Sequence, residues 1–576
     1  MQHLIYLLLR RMRLPLVTVI LAYAVSILGM VLIPGMDDQG NPWRMDFFHA
    51  FYFVSFMATT IGFGEIPYAF TDAQRIWTIL AMYLTVLSWL YAIGSLFSLL
   101  QEPAFRRVVA YSAFTRAVRR IREPFYLLCG IGDAGQLVMR ELAEHGIRSV
   151  VVDRAEHKIQ ALSLENLPLN APALTADVTD SSALVAAGLT SRHCAGIVAL
   201  TDVDHVNLTI AITSKLLAPK LMVICRSELH DSAANMASFG TDYIINPFDT
   251  FAKRFALMFH SPSMYLVYEW MTSSHEAPLS DFTAPPKGPW VLCGYGRFGK
   301  AMQQSLSFKG IQTVLIESDV AATSAPETTI VGRGTEAITL HEAGIEQAVG
   351  IVAGTDDDAN NLSIIMTARD MNKDLFTVAR QNLRSNDAIF AAANINITMQ
   401  SGILIGRRVL DILTTPLLAD FLRMAQQQNE AWANVLVSRV AGVLSDDRPP
   451  ETWTVTISRK HTPAIIEMFR KEVPVSLKNL ATDPQATAEQ LPCVPLYIKH
   501  ADNSERLLPE ADTLLQPGDE LLFCGQRSAE RHMCWTAHNF HAMNYICTGD
   551  NSPSGTLWRW LAERERTSAP TAPPSP

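Results

Sequence analysis

The chain lacks a C-x-x-C pair, and it holds only eight cysteines in 576 residues. That spacing excludes the tight zinc knuckle and gives no disulfide framework. Cys129, Cys225, Cys293 and Cys524 lie in or beside apolar runs, as reduced, buried thiols of a cytosolic compartment do. Basic residues are not in excess. Net charge is -9, which argues against nucleic acid as the main partner. No small-residue cleavage pattern follows the first apolar run, and that run is too long for a signal peptide.

What is present is unevenly spread. Residues 14–36 and 76–101 carry no charge. Each is long enough to cross a hydrocarbon core, which takes about 20 residues of helix. Arg10, Arg11 and Arg13 precede the first run. Arg106, Arg107, Arg116, Arg119, Arg120 and Arg122 follow the second. The positive-inside rule then places both ends in the cytoplasm and residues 37–75 outside. Two spans satisfy that bias and three do not, so the apolar stretch Phe47 to Gly64 enters the membrane and returns.

Backbone that is not helical survives at membrane depth only where protein buries it or it lines a wet cavity. The stretch in question reads Thr59-Thr60-Ile61-Gly62-Phe63-Gly64-Glu65. Alternating glycines open backbone conformations closed to other residues. Successive carbonyls can then point one way and replace an ion's hydration shell. The Thr60 hydroxyl adds a ring of oxygens at the inner end. Asp46 to Ala58 reads as a short pore helix whose C-terminal dipole end favours a cation.

At these residues the chain resembles potassium channels with two spans per subunit. Their usual filter is Thr-Val-Gly-Tyr-Gly-Asp; here Ile61, Phe63 and Glu65 fill the variable places. Phe63 lacks the hydroxyl that braces the family's filter, and Glu65 lengthens the outer acid. Ala81 to Leu87 holds no hinge glycine; Gly94 lies nearer the cytoplasmic end. No helix carries arginine at every third place, which argues against intrinsic voltage sensing.

The remainder contains a repeat. Tyr126–Cys129 is an apolar run, followed by Gly130, Gly132, Asp133 and Gly135, a helix-period stretch, and Val150–Val152 ending at Asp153. This is the strand, glycine turn, helix, strand, acid order of a dinucleotide fold. Trp290–Cys293 leads into Gly294, Gly296, Arg297 and Gly299, and Val314–Ile316 ends at Glu317. First glycine and acid lie 23 positions apart in both. Thr201-Asp202 matches Thr355-Asp356, Asn207 matches Asn361, and Arg226 matches Arg380. Two tandem copies of one α/β domain follow. Both resemble the regulator-of-potassium-conductance (RCK) module, over roughly 124–272 and 288–424.

The fold class that follows is a membrane α-helical pore domain, two Rossmann-like α/β domains and a small α+β C-terminal subdomain. Its parts are a pore domain over 1–105, with spans 14–36 and 76–101 and pore helix and filter 46–66. Then come a first RCK domain with linker over 106–272 and a linker over 273–289. The second RCK N-terminal subdomain with crossover helix covers 290–427. A TrkA-C-like subdomain follows over 428–545, where the turn Pro517-Gly518-Asp519 joins strands 494–498 and 521–523. A tail over 546–576 is partly disordered.

Asp153 and Glu317 suit free ribose hydroxyls, so NAD or an adenine nucleotide fits as a regulatory ligand better than NADP. Asp177 and Asp202 flank the first site. Arg297 and Arg333 flank the second, which therefore tolerates more phosphate charge. Arg226 and Arg380 either contact phosphate or pair with a local acid. An empty glycine loop kept for its fold is the alternative for each copy. Asp356-Asp357-Asp358 has the oxygens calcium prefers, with a solvated loop as the rival. His532, Cys534, His538, His541 and Cys547 have zinc donors at no tight spacing.

One re-entrant loop cannot enclose a pore, so the filter implies a homotetramer in the lipid of the cell (inner or plasma) membrane, both termini cytoplasmic. The expected function is a ligand-gated potassium channel rather than an enzyme. The rivals are a membrane-anchored regulator of a separate transporter and an NAD-dependent membrane oxidoreductase. For the latter the sequence shows no substrate-side acid or base.

Overall fold

In the computed structural model, residues 2–272, 283–444 and 448–550 are described, with side chains of 2–11 and 163 left aside. The linker and tail expected at 273–289 and 546–576 lie largely outside these ranges. Two compact units result, one built on residues 1–122 and one on most of the remainder.

The first unit is a pair of long helices, Gln2–Leu32 and Asp72–Gln101, with the shorter Phe47–Ala58 between them. The apolar stretch of the first is Met12–Leu32. Residues 33–36, read above as its end, are not helical: Gly35–Met36 pairs with Pro42–Trp43 in a short antiparallel ladder. Trp77 Nε1 donates to Ser26 O at 3.1 Å and joins the two long helices. A Cβ on Gly29 would lie 2.0 Å from the Trp77 ring, so only glycine admits this approach. Leu14, Ile20, Leu28, Ile79, Leu87 and Leu90 face outward, exposed. Such apolar surface on both helices suits contact with lipid or neighbouring chains. Pro103–Arg120 forms a fourth helix that groups with this unit, although the sequence placed 106–122 with the first α/β copy.

The second unit holds two six-stranded sheets of identical order, 3-2-1-4-5-6 by chain position. Each is a doubly wound sheet whose ligand edge lies at the carboxyl ends of its strands. The copies interlock. Helix Pro247–His260 follows the last strand of the first copy but packs on Arg297–Phe308 of the second. Its Phe248, Phe251 and Phe255 sit 5.9, 5.6 and 5.4 Å, by ring centroid, from Phe298, Phe298 and Trp290 respectively. Helix Ser401–Thr414 returns from the second copy to Asp133–Glu144 of the first. A Cβ on Gly402 would stand 2.7 Å from that of Asp133, so a small residue sets this contact.

The last part holds four antiparallel strands: Glu451–Thr456, Glu520–Gly525, Cys493–Lys499 and Glu505–Leu507, in spatial order. Strands 494–498 and 521–523 do pair, but Pro517–Asp519 does not join them. Strand Glu505–Leu507 intervenes in the chain and occupies the far edge.

All eight cysteines are free, and burial pushes the Cys225 and Cys293 thiols up to about 12. Inert structural thiols are what such burial produces.

Candidate functional site

Asp46 caps helix Phe47–Ala58 by accepting from His49 N at 2.7 Å. Thr59 closes it, its hydroxyl donating to Ser55 O at 2.9 Å. Beyond it the backbone alternates: φ is +65° at Thr60, +67° at Gly62 and +100° at Gly64, and negative at the residues between. Left-handed and right-handed conformations in alternation turn successive carbonyls to one side. Ile61 N and Gly62 N both reach Phe56 O, at 3.0 and 3.5 Å. Among the described residues no group donates to the carbonyls of Thr59 to Phe63. No atom lies within 4 Å of a Cβ built on Gly62 or Gly64, so conformation and not space demands glycine there. The Phe63 ring meets Phe56 edge-on at 5.4 Å. Glu65 accepts from Arg75 and from Phe70 N, at 2.9 Å.

The two glycine loops repeat one geometry. Gly130 and Gly294 both have φ of +96°. A Cβ on Gly135 would stand 2.2 Å from Gly130 O, and one on Gly299 would stand 1.9 Å from Gly294 O. Gly132 and Gly296 instead face open space, with nothing within 4 Å. Thus the first glycine makes the turn, the third permits helix–strand contact, and the second faces open space at the start of the helix. Asp133 and Arg297 each open the helix that follows.

Asp153 and Glu317 stand at the carboxyl ends of the second strands, both buried. Asp153 accepts from Ile131 N at 2.6 Å and Ala155 N at 2.7 Å. Glu317 accepts from Tyr295 N at 2.6 Å and Asp319 N at 3.0 Å. Each acid therefore ties its glycine loop to the sheet, a role the sequence did not disclose. Asp177 accepts from Thr179 N and Oγ1, which holds its carboxyl below the usual range. Arg333 is exposed just past strand Ile330–Val331.

The matched arginines have different surroundings. Arg226 pairs with Asp202 and Glu228 of its own copy. Glu228 also takes Arg297 of the second copy, at 2.6 Å. At the place matching Glu228 the second copy has Asn382. Arg380 has no ion pair among the described residues, and its buried Nε has no hydrogen-bond partner. It lies over the Phe248 ring at 4.9 Å, with Arg297 over the same ring at 5.8 Å. Burial pushes its pKa down, with Arg297 adding to the effect and Glu228, Asp356 and Asp358 opposing it. The sequence missed Glu228 and Phe248; the signal was the acid-to-amide change at 228 and 382.

The metal readings find no support. Asp358 is spent on Asn382 N, Leu383 N and Asn386 Nδ2, and Asp357 caps a helix. The described residues hold no group of three or more potential metal ligands.

Known families match both parts. An ion-channel domain model matches residues 16–102, and a TrkA-N domain model matches 126–247 and again 290–401. Potassium channel protein 1 of Methanocaldococcus jannaschii is 24% identical over 204 residues, 35% of this chain and 59% of that protein. Voltage-gated potassium channel Kch of Escherichia coli is 24% identical over 213 residues, 37% of this chain and 49% of Kch. The chain thus aligns with less than two thirds of either relative's length. The solved GsuK channel covers 93% of this chain and 99% of its own, at 16% identity and a TM-score of 0.48.

Fold and matches together define a membrane channel domain followed by two TrkA-N (RCK) domains. The chain is homologous to potassium channel proteins.

Proposed function

We propose that four copies of this chain form a potassium-selective channel in the cell membrane, opened or closed by nucleotides bound to its own TrkA-N domains. The alternation of φ at Thr60, Gly62 and Gly64, between two spanning-length helices, carries this reading. It leaves a row of carbonyls without donors, which is what a dehydrated cation needs. Four chains around one axis close the row into rings. Both termini are cytoplasmic in this reading, as the arginine bias requires.

The nucleotide reading rests on Gly132 and Gly296, which leave open space beside the start of a helix. Backbone N–H groups there favour phosphate. NAD or an adenine nucleotide is the regulatory ligand, not a redox substrate. Asp153 and Glu317 are the ribose acids, and binding draws them from the loop N–H groups they now hold. A ligand preferring one arrangement of the interlocked copies shifts the population toward it. Coupling of about 1–3 kcal/mol between sites is typical.

Purified protein in liposomes tests the function. Potassium flux that responds to NAD, NADH, ADP or ATP supports the channel. Absence of flux with every nucleotide, in correctly assembled protein, refutes it and favours the anchored regulator. Substrate-dependent NADH turnover favours the oxidoreductase.

A further inference from the structure

We infer that Arg380 is the terminal-phosphate seat of the second TrkA-N copy, and that this copy takes nucleotides ending in a phosphate, such as ADP. The inference rests on the nucleotide reading above and says which class of ligand the second copy selects.

A guanidinium stays charged in a protein, so a buried one needs an anion or several acceptors. Three guanidiniums, of Arg226, Arg297 and Arg380, gather where one buried carboxylate, Glu228, is available. Glu228 bonds two of them. Arg226 has Asp202 besides. Half-buried Arg380 has neither ion pair: its Nε, like that of Arg226, is buried without an acceptor, and its guanidinium lies over the Phe248 ring. Asp356, which matches Asp202, forms no ion pair with it among the described residues. Asp358 is occupied by Asn382, Leu383 and Asn386.

Position supplies the rest. Arg380 lies on the strand Phe376–Gln381, toward its carboxyl end, and Asn361 clamps its carbonyl at 2.8 Å. The same Asn361 holds Thr355 N at 2.9 Å. Arg297, which shares the Phe248 ring with it, belongs to the glycine loop itself. A phosphate beyond the loop, toward Arg380, meets a guanidinium that no described residue pairs directly, Glu228, Asp356 and Asp358 acting on it only at longer range. In the first copy the same place is already balanced by two acids. A dinucleotide such as NAD, whose phosphates are both internal, offers the Arg380 position less charge.

The test is calorimetric titration of the full-length tetramer with ADP, adenosine and NAD. The readout is the ratio of ADP to adenosine affinity, which a general loss of folding does not mimic. In R380Q that ratio falls at least about tenfold, the loss of one charged hydrogen-bonded contact. NAD affinity is unchanged, and R380K restores part of the ratio. An unchanged ratio in R380Q overturns the inference, as does R380K behaving like R380Q in folded protein. If the wild type binds neither ADP nor NAD, the nucleotide reading itself falls.

Discussion

Glu65 accepts hydrogen bonds from Nε and Nη2 of Arg75, at 2.9 and 3.2 Å, across the outer end of the pore loop. Its second oxygen also takes Phe70 N. The fork joins the outer end of the proposed filter to the first turn of the second long helix. Phe63 has no hydroxyl with which to do this.

Both side chains are exposed, so the pair contributes little to stability. In the proposed channel its effect falls on filter geometry. R75Q should assemble normally and lose potassium-over-sodium selectivity several-fold in liposome flux. The double change E65R/R75E should recover part of it. Wild-type selectivity in R75Q would show that the fork has no part in conduction.

Gly62 and Gly64 have room for a methyl group but not the backbone for it. An L-residue in the left-handed region costs roughly 1 kcal/mol or more. In a tetramer that strain recurs in every chain. G62A and G64A should therefore assemble yet pass little potassium. Normal flux through either would contradict the carbonyl ladder.

The glycine loops separate two kinds of failure. In G135A and G299A the new methyl collides with a backbone oxygen, so the second unit should unfold at lower temperature. In G132A and G296A the methyl enters open space, so thermal stability should stay near wild type while nucleotide affinity falls. Equal thermal loss in all four would mean that the open space is not a ligand site.

Asp411 lies in the returning helix Ser401–Thr414, and burial raises its pKa to about 7 against the pull of Arg408, Arg407 and Arg254. A carboxyl raised in the folded state binds its proton more tightly there than in the unfolded chain. Stability therefore falls as pH rises from about 4 to 7 and levels off above. Heating scans should show the second unit gaining stability from pH 8 to pH 6. D411N should be more stable than wild type at pH 8 and lose this part of the pH slope. A slope unaltered in D411N would assign the effect to another group.

Much of the fold was legible because its signals are local. A run of 26 uncharged residues, Ile76 to Gln101, states its own length, and glycines at alternate places state their dihedrals. The spacing of Gly130, Gly132 and Gly135 encodes turn, opening and close contact in six residues. Residues 33–36 misled because an uncharged stretch need not stay helical past Pro34. The turn at 517–519 misled because pairing of strands does not reveal which segment connects them. Arg226 and Arg380 read alike, since the acids that distinguish them come from other segments.

By itself the sequence determined the two long apolar helices, the glycine-bearing loop between them, and the duplicated strand–glycine–helix–acid unit. Each is a matter of period, length or backbone freedom, which neighbouring residues settle among themselves. Tertiary structure alone decided that the crossover helices change places, that Glu228 binds arginines from both copies, and that Arg380 is left without a direct ion pair. Those outcomes depend on which surfaces meet across as many as 269 positions, from Gly402 back to Asp133, and packing rather than local pattern makes that choice.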